Sequence, residues 1–130
     1  MIALTVRQPW AWATMHGKDV ENRSQPRKYR GELIIHAGQK FDSDGYAWLW
    51  DNRHLLDAEI PTREKFKLGG IIGKVNMVDC VKNSDSPWAQ DGFHHWVFES
   101  PVELQFFAMP GRQNFFPVPD DKIKVLSGQQ

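Results

Sequence analysis

Arg7-Gln8-Pro9-Trp10, followed a helix's length later by Lys18-Asp19-Val20-Glu21-Asn22-Arg23, is the stretch whose reading decides the fold. A short apolar strand, Ile2 to Val6, runs into it, with Ile2, Leu4 and Val6 alternating against Ala3 and Thr5. Gln8-Pro9-Trp10 then turns the chain. Proline suits a first helical position because its missing N–H would have no partner there. The spacing predicts a helix of about two turns over Pro9 to His16. Gly17 suits the left-handed position that ends a helix. Trp10, Ala13 and Thr14 share one face of that helix; Trp12 and Met15 take another. Lys18 to Arg23 reads as an extended piece. In a regular strand, Glu21 and Arg23 point to one side and Lys18 to the other. If Lys18 belongs to the helix exit, the alternation does not reach it. A core does not ask for lysine, glutamate and arginine at these offsets; a site often does.

Outward from this corner, Ser24 to Tyr29 is a turn-rich loop around Pro26. Gly31 to Ala37 is a strand, with Leu33, Ile35 and Ala37 on one face and Glu32, Ile34 and His36 on the other. Asp42 or Ser43 caps an expected helix running to about Leu56, with Trp48, Leu49 and Leu56 among its apolar positions. Gly45 weakens that helix, and Pro61 closes the excursion. Gly69 to Val81 is the longest expected strand. Its apolar residues change face between Met77 and Val78, which suggests a bulge or a barrel bend. Gly69, Gly70 and Gly73 permit close backbone approach. Lys82 to His95 is a polar loop. Trp96 to Leu104 alternates, with Trp96, Phe98, Ser100, Val102 and Leu104 inward. Pro101 makes this an edge or a bulged strand. A last strand is expected near Phe115 to Val118, and Ser127 to Gln130 as a frayed end. Five or six strands with two helices between them suggest a small curled or closed sheet in one domain spanning residues 1–130.

The composition bounds the function. Sixteen basic and sixteen acidic side chains cancel in the 130 residues, which argues against a generic nucleic-acid coat. Residues 18–30 are different. Lys18, Arg23, Arg27, Lys28 and Arg30 face only Asp19 and Glu21, a local surplus of positive charge. The one cysteine, Cys80, rules out an intramolecular disulfide, and no cysteine pair exists to hold a metal. Cys80 itself reads as a small core residue. No signal peptide and no membrane-length apolar run is present, so a cytoplasmic protein is expected. Six tryptophans serve either a core or a base-stacking platform.

Leu4 to Ala11, Gly17 to Arg23 and Arg30 to Ala37 together resemble the opening of an ASCH domain, a member of the PUA-like β-barrel superfamily. Its signature is Gly-x-Lys-x-x-Glu-x-Arg. Lys18, Glu21 and Arg23 match it. Gly17 stands one residue before the lysine rather than two, and His16 takes the glycine's place. Leu68 to Gly73 resembles the family's central strand. Trp96 to Pro101 and Pro110 to Val118 resemble its closing hairpin. The resemblance implies an α+β fold: a small closed β-barrel of five or six strands with two or three inserted helices. It also implies a cleft beside the first helix, lined by the signature residues. Members bind RNA or DNA, some have ribonuclease activity, and one branch hydrolyses the amide of an acetylated cytidine. That branch is similar in Lys-x-x-Thr-x-Arg, with a nucleophilic threonine where Glu21 stands here.

The expected function is therefore binding of nucleic acid, foremost single-stranded RNA, through a basic cleft, with ribonuclease activity among the implied options. The alternative is a hydrolase acting on a modified nucleoside such as an acetylated cytidine. The catalytic candidates are Lys18, to hold phosphate or act as a base, and Glu21, as general acid/base. Their plain alternatives are a cation at a helix C-terminus and a salt-bridge partner. Arg7, Gln8, Trp10, Lys18, Arg23, Arg27, Lys28 and Arg30 are the candidate nucleic-acid contacts. Arg7 and Gln8 sit at the start of the first helix, where free N–H groups attract anions. Trp10 is read as half core and half cleft wall. His36 reads as structural. His94 and His95, adjacent on a strand, point apart and give no metal site. No cofactor and no metal are expected. The expected partner is RNA or a modified nucleotide, with DNA as the other option, and not a membrane.

Overall fold

The structure is a computed structural model that describes residues 1–126. The frayed end expected at Ser127 to Gln130 lies outside the described residues. Strand β1 (Ile2–Gln8) leads into helix α1 (Trp10–Thr14), followed by β2 (Val20–Arg23) and β3 (Gly31–Phe41). Helix α2 (Ser43–Asp51) and two 3-10 turns precede β4 (Gly70–Val81), β5 (His94–Ala108) and the short β6 (Phe116–Pro117). The six strands form one sheet in the order β2-β5-β4-β3-β1-β6. Every pair is antiparallel except β1 with β3. The architecture is α+β, as expected.

The closed barrel is not formed by backbone pairing: β2 and β6 are the edges and do not pair with each other. The sheet is bent instead. Register shifts interrupt the β4–β5 ladder at Ile71/Gly73, Lys74/Asn76 and Met77/Asp79. Each shift adds local twist and bend. Gly73 lies at one of these points, and the Met15 sulfur packs where its side chain would be. Opposite the second shift, Ser100 adopts φ 55° and is exposed, so the inward alternation expected along Trp96 to Leu104 breaks there. Pro101 follows in the part of β5 beyond its pairing with β2, as its missing N–H requires.

The core has two faces and an annex. On one face Leu4, Val6, Leu33, Ile35, Val75, Met77, Trp96 and Phe98 pack together with Ala11 and Met15 of the first helical segment. On the other, Ala3, Ile34, Ile71, Leu104, Phe116 and Val118 form a second cluster. Strand β3 lies between the two, and so Leu33 to Gly38 are buried on both sides. His36 falls in the second layer. Its Nε2 is 2.7 Å from the Met109 carbonyl and its Nδ1 3.1 Å from Thr5 Oγ1. It is a core histidine with both nitrogens partnered. Cys80 is half-buried against the first cluster. Ala13, Val20, Leu49, Ile60, Phe66 and Trp88 make a third cluster between the helices and the back of β2.

Both helices are shorter than expected. Regular α-helix in α1 stops at Thr14, and Met15 to Gly17 continue as turns. Gly17 has φ +121°, and the Lys18 N–H closes back onto the Ala13 carbonyl at 3.0 Å. Helix α2 ends at Asp51 rather than near Leu56. There Asn52 Nδ2 donates to the Trp48 carbonyl at 2.8 Å and Arg53 to the Trp50 carbonyl at 2.7 Å. The Arg53 side chain thereby satisfies a carbonyl that another turn of helix would have used, and Asn52 adds its side chain to the Trp48 carbonyl that its own N–H already reaches. Asp42 is the N-cap, accepting the Gly45 N–H at 2.9 Å.

Candidate nucleic-acid interface

The first turn, the helix exit and β2 bring the signature residues together. Lys18 lies before β2 begins, so strand alternation does not apply to it. Its Nζ lies 3.3 Å from Glu21 Oε1 and also donates to the Val20 carbonyl. Glu21 and Arg23 share a face of β2, and Arg23 Nε donates to Glu21 Oε2 at 2.9 Å. Each carboxylate oxygen of Glu21 thus has its own cation. Burial pushes the Glu21 carboxyl up, but the Lys18 and Arg23 charges and their hydrogen bonds together outweigh it. The carboxyl is held below its ordinary value and is ionised at neutral pH.

Arg23 does more than pair with Glu21. Glu21 is the cross-strand partner of Trp96, which places both side chains on the core face of the sheet. From there Arg23 reaches over the Trp96 ring, 5.5 Å from its centroid, and donates through Nη2 to the Thr5 carbonyl of β1 at 3.2 Å. An edge strand is thereby tied to a strand on the far side of the sheet by a side chain instead of a ladder. Lys18 is 6% and Arg23 32% exposed at the side chain. Arg23 is the member of the trio with N–H groups available to solvent.

Trp10 is fixed beside the trio. Its indole N–H donates to Asp42 Oδ2 at 2.9 Å, and Lys18 Nζ stands 5.7 Å from its ring centroid. Gly45, which weakened the expected helix, is what lets Trp10 approach α2. A Cβ at that position would lie 2.6 Å from the Trp10 ring and 2.6 Å from Asp42 Oδ2. Burial raises the Asp42 carboxyl, but the Gly45 N–H, the Trp10 indole, the nearby Arg7 charge and the Asp44 N–H hold it below its ordinary value. Arg7 is exposed and close enough to Asp42 to contribute.

Gln8 has a different place from the one its position suggested. It is 2% exposed; its Oε1 accepts the Trp12 N–H at 2.9 Å and its Nε2 donates to the Lys67 carbonyl at 3.0 Å. The first-turn N–H that an anion would have sought at Trp12 is occupied by Gln8. Gln8 also lines a cavity of about 300 Å³ with Trp12, His16, Phe66, Glu103 and Phe106, and Lys18, Glu21 and Arg23 are absent from its walls. Arg27 lies 4.3 Å from the Phe115 ring centroid and Lys28 is exposed. Arg30 bonds the Arg27 and Tyr29 carbonyls, each at 2.8 Å. Arg27 and Arg30 thus hold the loop after Arg23, and Lys28 projects from it.

Several residues of the corner carried no signal in the sequence. Asp19 accepts from Ser86 Oγ at 2.6 Å, and Asn22 bonds the Trp88 carbonyl at 3.0 Å and the Gln90 N–H at 2.9 Å. The variable positions of the charged segment therefore anchor the polar loop before β5. His95 anchors the same loop, with Nδ1 accepting the Ser84 N–H at 3.1 Å and Nε2 2.7 Å from the Gln90 carbonyl. Among the described residues no cluster of histidine, cysteine and carboxylate side chains is placed to hold a metal ion, and no helix is long and apolar enough to cross a membrane.

The family model of the ASCH domain matches residues 4–105, which takes in every element from β1 through most of β5. No curated protein matches the sequence significantly.

Proposed function

The chain belongs to the ASCH domain family, and from that premise we propose that it binds nucleic acid, with single-stranded RNA as the ligand, at the face built by Arg23, Arg7, Trp10 and the loop carrying Arg27, Lys28 and Arg30. Arg23 meets a phosphate with the N–H groups left over from Glu21 and Thr5. Arg7 and the loop cations carry flanking phosphates, and Trp10 offers the edge of a stacking surface. A splayed base of a single strand reaches such a surface; a paired base does not. In this reading the curled sheet acts as a PUA-like barrel, with the Arg23-to-Thr5 bond standing in for the missing ladder.

The observation that carries the reading is the engagement of Glu21. Both of its oxygens are held by cations, and its carboxyl is kept ionised. A general acid needs a raised carboxyl, and a general base needs a free lone pair aimed at substrate. Glu21, buried and paired at both oxygens, is ill placed for either task. It suits positioning Arg23. Lys18 is then the buried counter-charge that balances the pair. The acetylcytidine-hydrolase branch has a nucleophilic threonine at the Glu21 position, a role that a doubly paired carboxylate does not take over; a hydrolase here needs another residue to activate water.

The test is end-labelled single-stranded RNA run with wild type and Glu21→Gln on native and denaturing gels in chelator. The expected result is an RNA band that shifts on the native gel and stays intact on the denaturing one. Cleavage by wild type that disappears in Glu21→Gln would overturn the reading in favour of a metal-independent ribonuclease.

A further inference from the structure

Helix α2 leaves two tryptophans in water. Trp48 is 42% and Trp50 40% exposed, although the helix has a buried face at Leu49. Their settings differ. Trp50 meets Tyr46 at 6.4 Å between ring centroids, and the Arg53 guanidinium lies 5.9 Å from its ring. Trp48 meets two other tryptophans. Its ring centroid is 6.0 Å from Trp10, tilted 56°, and 5.8 Å from Trp88, tilted 54°. Trp88 is buried, and Trp10 is pinned by Asp42. Trp48 is thus braced from behind on two sides while its outer surface stays open. The rings pack too closely on one another to admit a ligand between them, so any contact must be made on that outer surface.

A braced, half-exposed indole is a prepared stacking surface, and here it adjoins Trp10, the ring that Lys18 approaches. Its ordering cost is met when the chain folds rather than when the ligand binds. The route from the charged trio is continuous: Lys18 lies 5.7 Å from the Trp10 ring, and Trp10 touches Trp48. Exposed Arg7 lies near enough to Asp42, the partner of the Trp10 indole, to act on its charge. An apolar protein partner would favour an uncharged rim here. A base with its phosphate favours an aromatic face beside cations.

We propose that Trp48 is the base-stacking residue of this domain: a nucleobase of the single strand lies on its outer face while the adjoining phosphates meet Arg7 and Arg23. The proposal rests on the RNA-binding reading above and adds to it the residue that contacts the base. Helix α2 is then part of the interface and not only a connection between β3 and β4. Because every base presents a π-face, this contact favours single strands over duplex with little preference among bases.

The experiment compares two labelled probes by fluorescence anisotropy: a short single-stranded RNA and the same sugar-phosphate backbone with abasic positions. Wild type, Trp48→Ala, Trp48→Phe and Trp50→Ala are titrated in parallel, with a thermal melt of each to confirm folding. The expected result is a loss of about 5- to 150-fold for Trp48→Ala on the base-bearing RNA, no change on the abasic probe, most of the affinity kept by Trp48→Phe, and no change for Trp50→Ala. Wild-type binding that survives Trp48→Ala overturns this proposal and leaves the RNA-binding reading standing. Equal loss on both probes, or an equal loss in Trp50→Ala, overturns it as well, because the effect then belongs to the helix. Failure of wild type to bind either probe overturns both readings together.

Discussion

Arg23 and Glu21, two residues apart on one strand face, are joined by an Nε-to-Oε2 bond of 2.9 Å, and the same arginine reaches the Thr5 carbonyl across the mouth of the sheet. One side chain therefore couples the charged segment to the fold. It holds the edge strand against the first strand, and it aims what remains of its donor fork outward. The arrangement depends on Glu21 staying charged and on Lys18 staying beneath it.

Replacing Glu21 by Gln keeps the shape and removes the charge. Lys18, 6% exposed at the side chain, is left without its counter-charge. Loss of one partner from a buried pair costs about 3–5 kcal/mol. Urea denaturation of Glu21→Gln is expected to show a lower midpoint with an unchanged slope, the product of shift and slope giving a loss of about that size. An unaltered midpoint would mean that the pair contributes nothing to folding.

The pH dependence follows from the same group. The folded state holds the Glu21 carboxyl below its ordinary 4.5, so between the folded and unfolded values the unfolded chain binds more protons. The contribution is complete above about pH 4.5 and is lost as pH falls through the folded value. Asp42, also lowered, acts in the same direction from its ordinary 3.8. A stability profile measured by denaturant from neutral to acid pH is expected to fall at the acid end for wild type. In Glu21→Gln the fall is expected to be shallower.

Gly45→Ala tests the packing of Trp10. Helix propensity alone favours alanine by about 1 kcal/mol. Here the added Cβ lies 2.6 Å from the Trp10 ring. Overpacking of this kind costs about 1–3 kcal/mol, so the net sign is expected to be destabilising. Thermal unfolding reads the sign directly, and a stabilised variant would show that Trp10 is free to move.

Gln8→Ala separates structure from recognition. It leaves the Trp12 N–H and the Lys67 carbonyl without their partner, at about 1–3 kcal/mol for a buried group. Stability is expected to fall while the folded variant binds RNA as wild type does. A loss of affinity without a loss of stability would return Gln8 to the interface.

The order of elements was legible in the sequence because periodicity and turn residues report it locally. Leu33, Ile35 and Ala37 alternate against Ile34 and His36 as expected. What periodicity could not report is that both faces are covered, because the second cover comes from Phe116 and Val118 far along the chain. Whether backbone pairing closes the barrel was not legible for a related reason. Strand count does not say whether the edges pair, and here a side-chain bond from Arg23 spans the gap. At the site, residue types singled out Lys18, Glu21 and Arg23, and the structure brings them into contact. Their burial was not legible, nor was the outward face of Trp48. Helical spacing made Trp48 one of the apolar positions, and only the placement of Trp10 and Trp88 behind it reveals an open surface.

The most direct measurement of the central claim is the salt dependence of single-stranded RNA binding by wild type and Arg23→Ala. Each phosphate contact contributes about 0.7 to the slope of log affinity against log salt for a single strand. Wild type is expected to bind at low salt with a steep negative slope, and Arg23→Ala to bind more weakly with a slope shallower by about 0.7. Absence of binding at low salt, or identical affinities and slopes for the two proteins, would contradict the account.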